Sequence, residues 1–158
     1  MKSLVVYYSR SGNTKFVAQK VAEKIGADIE EVIDRKNRRG WIGYLTAGRD
    51  ATQDKETQIE ETRFLPNNYD LIVVGTPIWN GRPTPAIRTY LMKNDLSRKK
   101  VAIFWTLNGR NEKKAAANTK ALLPNGNIVS TLAVMKALKN PEEAENKLSI
   151  WCSSLTST

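Results

Sequence analysis

Histidine is absent from the sequence, and cysteine occurs once, as Cys152. Without histidine the chain has no imidazole to serve as a general base or a metal ligand, and it cannot form a Ser-His or Cys-His nucleophile pair. We therefore expect no metal site and no catalytic residue of these kinds. The sequence also lacks a run of about 18 apolar residues, so we expect no membrane span. It shows no signal-peptide layout, so we expect a cytoplasmic protein.

Negative charge is scarce, because 16 Asp and Glu stand against 25 Lys and Arg and leave a net charge of +9. A positive surplus favours acidic partners, such as nucleic acid, an anionic membrane surface or an acidic protein. Lysines scattered over helix surfaces give the same sum without any partner. The basic clusters at Arg35–Arg39 and Arg98–Lys100 lack interleaved aromatic residues and match no common nucleic-acid motif. We therefore do not expect nucleic-acid binding.

Strands alternate with helices along the chain. The apolar run "LVVYY" at 4–8 predicts a strand, and the helix after it has Val17, Val21 and Ile25 on one face. The continuous apolar run "YDLIVVGT" at 69–76 is typical of a central parallel strand. Further strands are predicted at "DIEEVI", "KVAIFW" and "NIVSTLAVM", and further helices at "TPAIRTYLMK", "NEKKAAANTKALL" and after Pro141. The pattern predicts one α/β domain over 1–158, with a five-stranded parallel sheet in the order 2-1-3-4-5.

The segment from Arg35 to Pro66 is too long to be a bare loop in such a domain. Its sequence "GWIGYLTAGRDA" contains a predicted short helix, Trp41–Gly48, that covers another part of the molecule. The polar residues Thr52–Thr62 are predicted to be exposed.

The turn between the first strand and the first helix, "SRSGNT", is made of small polar residues. In an open α/β sheet, ligands bind beyond the carboxyl ends of the strands, where the strand order switches. Here the switch lies between the first and third strands, so this turn lies at the expected site. Hydroxyls, backbone N–H groups freed by Gly12 and the helix N-terminus would suit a phosphate. The same residues are also good helix caps, so a simple capped turn is the alternative.

Several other phosphate-binding proteins fit the sequence less well. Neither the G-x-x-x-x-G-K-[ST] motif nor G-x-G-x-x-G after the first strand is present, which argues against a P-loop nucleotidase and a Rossmann dinucleotide site. A cysteine-dependent phosphatase would need its nucleophile in this turn, where position 9 is serine. A phospho-acceptor receiver would need an Asp at the end of the third strand, which instead ends in Gly75 and Thr76.

Two further loops end at the same edge of the predicted sheet. The loop "TPIWNGRPTP" places Trp79 beside the phosphate turn, where its ring could stack on a planar ligand. Asn80 and Gly81 form a tight-turn pair that reaches positive φ readily. The fourth strand ends in "WTLNGRN" and adds a third loop. The three loops together predict a site for a ligand with a phosphate and a planar ring.

These segments resemble the flavodoxin family, and the resemblance covers nearly the whole chain. Its most specific piece is "YYSRSGNT", while "VVGTPIWNGRPTPAIRTYL" and "GWIGYLTAGRDA" are also similar to members of the family. The resemblance implies a flavodoxin-like three-layer α/β/α sandwich with FMN as cofactor. It implies that the FMN phosphate is held by Ser9, Arg10, Ser11, Gly12, Asn13 and Thr14. It implies that the isoalloxazine is lined by Thr76, Pro77, Ile78, Trp79, Asn80 and Gly81, with Thr106, Leu107, Asn108 and Gly109 on its other side.

The resemblance implies an electron-transfer flavoprotein whose bound flavin cycles between redox states as it carries electrons between larger redox partners. The alternative is an FMN-dependent NAD(P)H:quinone-type oxidoreductase, which would need an open pocket over the flavin. The three loops contain no histidine and no acidic residue to protonate a substrate, which favours the carrier. Flavodoxins that replace ferredoxins are usually acidic, whereas this chain is basic, so we expect acidic redox partner proteins. The sequence does not predict the oligomeric state.

Overall fold

The structure, a computed structural model, describes residues 1–36, 40–53, 55–109 and 111–157. Its sheet contains the strands β1 (Ser3–Tyr7), β2 (Asp28–Glu31), β3 (Leu71–Trp79), β4 (Arg82–Pro83), β5 (Lys100–Leu107) and β6 (Asn127–Met135). Five of these run parallel in the order β2-β1-β3-β5-β6, and β4 pairs antiparallel with the end of β3. The predicted order of the five long strands is therefore confirmed. The two-residue strand β4 was not predicted, because it is too short to show any periodicity.

Helices cover both faces of the sheet. They are α1 (Asn13–Ile25), α2 (Gly40–Thr52), α3 (Pro85–Lys93), α4 (Glu112–Lys120) and α5 (Pro141–Thr156), with a 3-10 turn at Pro66–Asn68. On one face, α1 and α5 share a buried cluster with side chains of β1, β3 and β5. On the other face, α3 and α4 pack against the alternate side chains of the same strands. In the described ranges, no helix is both long and apolar enough to cross a membrane.

The buried faces of the helices follow the predicted periodicity. On α1, Val17 and Val21 are fully buried, although Ile25 at its end is only half-buried. On α5, the predicted stripe of Ala144, Leu148, Trp151 and Leu155 is buried throughout. The apolar strands β1 and β3 have helices on both sides, which explains why their sequences are continuous apolar runs.

Side-chain bonds fix the long connection between β2 and β3. The buried carboxylate of Asp50, on α2, accepts a hydrogen bond from Lys36 Nζ at 2.5 Å. Thr57 N donates to Thr89 Oγ1 at 2.9 Å, which ties the polar segment to α3. This segment is mostly exposed, as predicted, but Ile59 packs against the core. Arg38 and Arg39 of the predicted basic cluster lie outside the described residues.

Candidate cofactor-binding site

A cavity of about 410 Å³ lies at the carboxyl ends of β1, β3 and β5. This is the edge where the strand order switches, because β1 has β2 on one side and β3 on the other. Three loops predicted from the sequence meet there. Their residues in the cavity wall are Arg10, Ser11, Asn13, Pro77, Ile78, Trp79, Asn80, Thr106, Leu107, Asn108 and Gly109.

The first loop brings the N-terminus of α1 to the cavity. Gly12 is the N-cap residue with φ of 93°, and no side chain caps the helix. The hydroxyl of Ser9 instead accepts a hydrogen bond from the Gly12 N–H at 3.1 Å, which closes the turn before the helix. The first N–H groups of an α-helix have no partner within it and carry positive partial charge. This loop therefore offers donors that suit an anion.

Two threonines of the predicted site hold the loops together from inside. Thr14 is 1% exposed, and its Oγ1 lies 2.7 Å from Oγ1 of Thr106, on β5. Thr76 is fully buried; its hydroxyl donates to the Pro77 carbonyl at 2.9 Å and accepts from Thr84 N at 3.2 Å. Of the predicted residues, these two support the cavity without appearing in its wall, as do Ser9, Gly12 and Gly81.

The second loop is a β-hairpin. Strand β3 continues beyond the main sheet to Trp79 and turns back as β4, with Ile78 opposite Pro83 and Trp79 opposite Arg82. The two residues of the turn, Asn80 and Gly81, have φ of 52° and 75°. Positive φ at both positions is the requirement of a type I′ turn, which Asn-Gly satisfies best. The predicted tight turn is therefore present, as the tip of a hairpin.

Aromatic and apolar groups form the part of the wall that suits a planar ring. Trp79 packs edge to face on Tyr8, with 5.8 Å between ring centroids and 88° between planes. Ile78 comes from the same hairpin, and Leu107 comes from the end of β5. The Leu107 carbonyl accepts a hydrogen bond from Lys136 N at 3.0 Å, which holds the third loop against the chain that follows β6.

The cavity has a fourth wall, whose residues were not predicted from the sequence as site residues. Helix α2 contributes Leu45, Ala47, Gly48 and Arg49 to the cavity. The sequence predicted a helix in this region that covers another part of the molecule, but it did not indicate that the covered part is the ligand site. Its small residues, glycine and alanine, are the signal that could have located it, because they allow a helix to lie close to a ligand or a loop.

The charge of the cavity wall is positive. Arg10 and Arg49 both line it, and among its described residues there is no carboxylate. Arg49 Nε lies 3.8 Å from Oδ1 of the buried Asp50 carboxylate, which also pairs with Lys36, so Asp50 offsets part of the charge of Arg49. The wall therefore combines two guanidinium groups, amide and hydroxyl groups and an apolar portion, which suits an anionic ligand with a flat aromatic part.

Comparison with known proteins gives a consistent result. A family model described as flavodoxin matches residues 2–155. No curated protein matches the sequence. The solved flavoprotein from Lactobacillus acidophilus NCFM in complex with FMN is 26% identical, with a TM-score of 0.72 over 90% of this chain and 97% of that chain.

Two further solved structures share the fold. A putative flavoprotein from Bacteroides uniformis ATCC 8492 is 21% identical, with a TM-score of 0.83 over 96% of this chain and 97% of that chain. Oxidised flavodoxin 2 from Bacillus cereus is 21% identical, with a TM-score of 0.68 over 99% of each chain. The likeness thus extends over nearly the full length of every chain compared.

Proposed function

The chain belongs to the flavodoxin family, and from that premise we propose that it binds FMN in the cavity and carries electrons between larger redox proteins. The observation that supports this most is the position of the cavity. It lies at the strand-order switch, with the uncapped N-terminus of α1 at one part of its wall and Trp79 at another. When bound, FMN would supply the redox chemistry, and the chain would bind, orient and shield it.

The first loop would hold the phosphate. The N–H groups of the first turn of α1, the Ser11 hydroxyl and the Arg10 guanidinium all suit a phosphate group. Gly12 keeps the backbone in a left-handed conformation, which other residues adopt at a cost.

The apolar portion of the wall would hold the isoalloxazine. Trp79, Ile78 and Leu107 would exclude water from the ring, and Leu45 of α2 would contact it from the fourth wall. The amide group of Asn108 and the amide oxygen of Asn80, whose amide nitrogen bonds to α2, are polar groups of the wall that would orient the ring edge.

The composition of the wall favours a carrier over a self-sufficient reductase. A quinone reductase needs a group that can deliver a proton to its substrate. The described wall has no carboxylate, and the whole chain has no histidine. We therefore propose one-electron exchange with partner proteins as the activity, and acidic proteins as those partners because the net charge is +9.

The test compares FMN with riboflavin, which has the same ring but no phosphate. We expect the protein to retain FMN after desalting and to bind riboflavin more weakly. Arg10→Gln should weaken FMN binding by about tenfold or more, because it removes a charge-assisted hydrogen bond, and should leave riboflavin binding nearly unchanged. Arg98→Gln is the matched control, since Arg98 lies before β5, at the opposite edge of the sheet.

Three results would contradict parts of the proposal. A protein that retains no FMN would refute cofactor binding. Equal affinity for FMN and riboflavin would refute the role of the first loop. Rapid steady-state turnover of NAD(P)H with a quinone would replace the carrier with the reductase.

A further inference from the structure

The hairpin turn of Asn80 and Gly81 is held against α2 by hydrogen bonds of the Asn80 side chain. The Asn80 amide nitrogen donates to the Gly48 carbonyl at 3.1 Å and to the Thr52 hydroxyl at 3.0 Å. Both of its N–H groups are therefore used by the last turn of α2. A methyl group on Gly48 would lie 3.2 Å from the same nitrogen, so the absence of a side chain there allows the close approach.

The other side of the turn is hydrogen-bonded to α4. The Asn118 amide nitrogen donates to the Gly81 carbonyl at 2.7 Å, the shortest of the bonds that hold the turn. The aliphatic part of Lys114 lies across Gly81, where a Cβ would come within 2.5 Å of Lys114 Cδ. One turn of two residues thus connects two helices that are far apart in the sequence.

These bonds connect two walls of the cavity. Helix α2 forms one wall through Leu45 and Arg49, and the hairpin forms the next through Trp79 and Asn80. Asn118 lies outside the described wall, but it fixes the carbonyl at the tip of the hairpin. Because Asn80 couples that tip to α2, a displaced tip would also displace the end of α2.

We propose that Asn118 is a positioning residue for the cofactor: it holds the Asn80–Gly81 turn against α4 and so sets the geometry of the ring-binding part of the cavity. This proposal rests on the proposed function, FMN binding in the cavity. It assigns to a residue of α4 an effect on a ligand that it does not touch.

The test replaces the amide with a carboxylate of nearly the same shape. Asn118→Asp removes the N–H donor and places negative charge opposite the Gly81 carbonyl oxygen. We expect the dissociation constants of FMN and of riboflavin to rise by a similar factor, about three- to tenfold, because the lost bond supports the ring site and not the phosphate site. The reduction potential of bound FMN should shift as well. Asn111→Asp makes the same chemical change at an exposed position of the same region, and it should alter affinity less than about twofold.

A second measurement needs no cofactor. In the protein without FMN, hydrogen exchange of the Gly81 and Arg82 amides should be faster in Asn118→Asp than in the wild-type protein. Below about pH 4 the introduced carboxyl is protonated and can donate again, so this difference should shrink. A merely structural loss elsewhere in α4 would not reverse in this way. If the carboxylate prevents folding, Asn118→Ala removes the donor without adding charge and is measured instead.

The outcomes separate the two proposals. If the wild-type protein binds no FMN, the proposed function is wrong. If the wild-type protein binds FMN and Asn118→Asp matches it in affinity, potential and exchange, the positioning role is wrong. Weaker binding of both flavins together with faster, pH-reversible exchange at the turn is the result we expect.

Discussion

At the scale of single residues, burial decides what a reactive group can do. Cys152 lies on the inner face of α5 and is 3% exposed, in the cluster that joins α5 to the sheet. Burial raises the pKa of its thiol to about 11. A neutral thiol in this position is a packing residue, because the thiolate is the reactive form.

This pKa predicts a loss of stability at high pH. The thiol ionises near pH 9.0 when unfolded but retains its proton in the folded state up to about pH 11. In that interval the unfolded state binds fewer protons, so the free energy of unfolding should fall as the pH rises, by at most about 1.4 kcal/mol per pH unit. Urea unfolding of the wild-type protein and of Cys152→Ala at about pH 8 and about pH 10 measures the effect. The stability difference between the two should move in favour of Cys152→Ala at the higher pH; a constant difference would mean that the folded protein accommodates the thiolate.

The predicted strand order and the residue types located the site but not the direction of each side chain. The polar turn "SRSGNT" and the loop "TPIWNGRPTP" were predicted to lie at the strand-order switch, and both contribute residues to the cavity wall. Thr14 and Thr76 stand in the same motifs but point inward. Their direction depends on partners such as Thr106 and Thr84, whose register only the folded chain establishes.

At the scale of elements, the fit between neighbouring strands is tight at Gly75. A methyl group on this residue of β3 would lie 2.1 Å from Cζ of Phe104, which faces it from β5. The Phe104 ring is fully buried and packs on Trp151 at 6.4 Å between centroids. The ring therefore has little room to move away from β3.

Gly75→Ala should consequently destabilise the protein by about 1–3 kcal/mol or more, because an overpacked core forces side chains from their rotamers. Chemical unfolding followed by tryptophan fluorescence or circular dichroism gives the change. Gly109→Ala is the matched control, since a Cβ there would have no heavy atom within 4 Å, and its free energy of unfolding should change by less than about 0.5 kcal/mol. Equal stabilities for the two variants would show that the sheet can spread at Phe104.

The elements that the sequence predicted poorly are those whose form depends on tertiary contacts. Strand β3 was predicted to end at Thr76, where its continuous apolar run ends, and a proline such as Pro77 or Pro83 disfavours the interior of a sheet. The strand runs to Trp79 because the hairpin lies at the margin of the sheet. There Pro77 pairs with Thr106 of β5, and Pro83 pairs with Ile78. Helix α2 was predicted over Trp41–Gly48 but extends to Thr52, where the Asn80 amide holds its last turn. The other four helices, α1, α3, α4 and α5, have regular amphipathic patterns, and the strands β1 and β5 are apolar runs. These elements could be predicted without knowledge of such contacts.

At the scale of the whole molecule, positive charge exceeds negative charge, and part of the excess lies where a ligand would be bound. Arg10 and Arg49 line the cavity, and the net charge of the chain is +9. In the FMN-loaded protein the phosphate would offset Arg10, so Arg49 and the positive surface around the cavity should set the field that a small reactant experiences, screened over about 10 Å at ordinary salt.

Electron transfer from the FMN-loaded, reduced protein should therefore depend on the charge of the acceptor. With anionic ferricyanide, the second-order rate constant should fall as ionic strength rises, by about tenfold between low and physiological salt. With cationic hexaamminecobalt(III), it should rise. Stopped-flow measurement of both acceptors gives the two slopes, and Arg49→Gln should flatten them while Arg98→Gln should not. Identical slopes for both acceptors would mean that the local field is neutral.

The contact between Asn13 and Leu138 affects the stage of chain synthesis at which the site can be completed. All described residues of the cavity wall lie before residue 110, yet the Asn13 side chain accepts a hydrogen bond from Leu138 N at 3.1 Å. A growing chain thus contains every wall residue well before the partner that orients Asn13 has been made, and before α5 can cover α1 and the sheet. We therefore expect the proposed phosphate site to reach its final geometry only after the C-terminal region has left the ribosome.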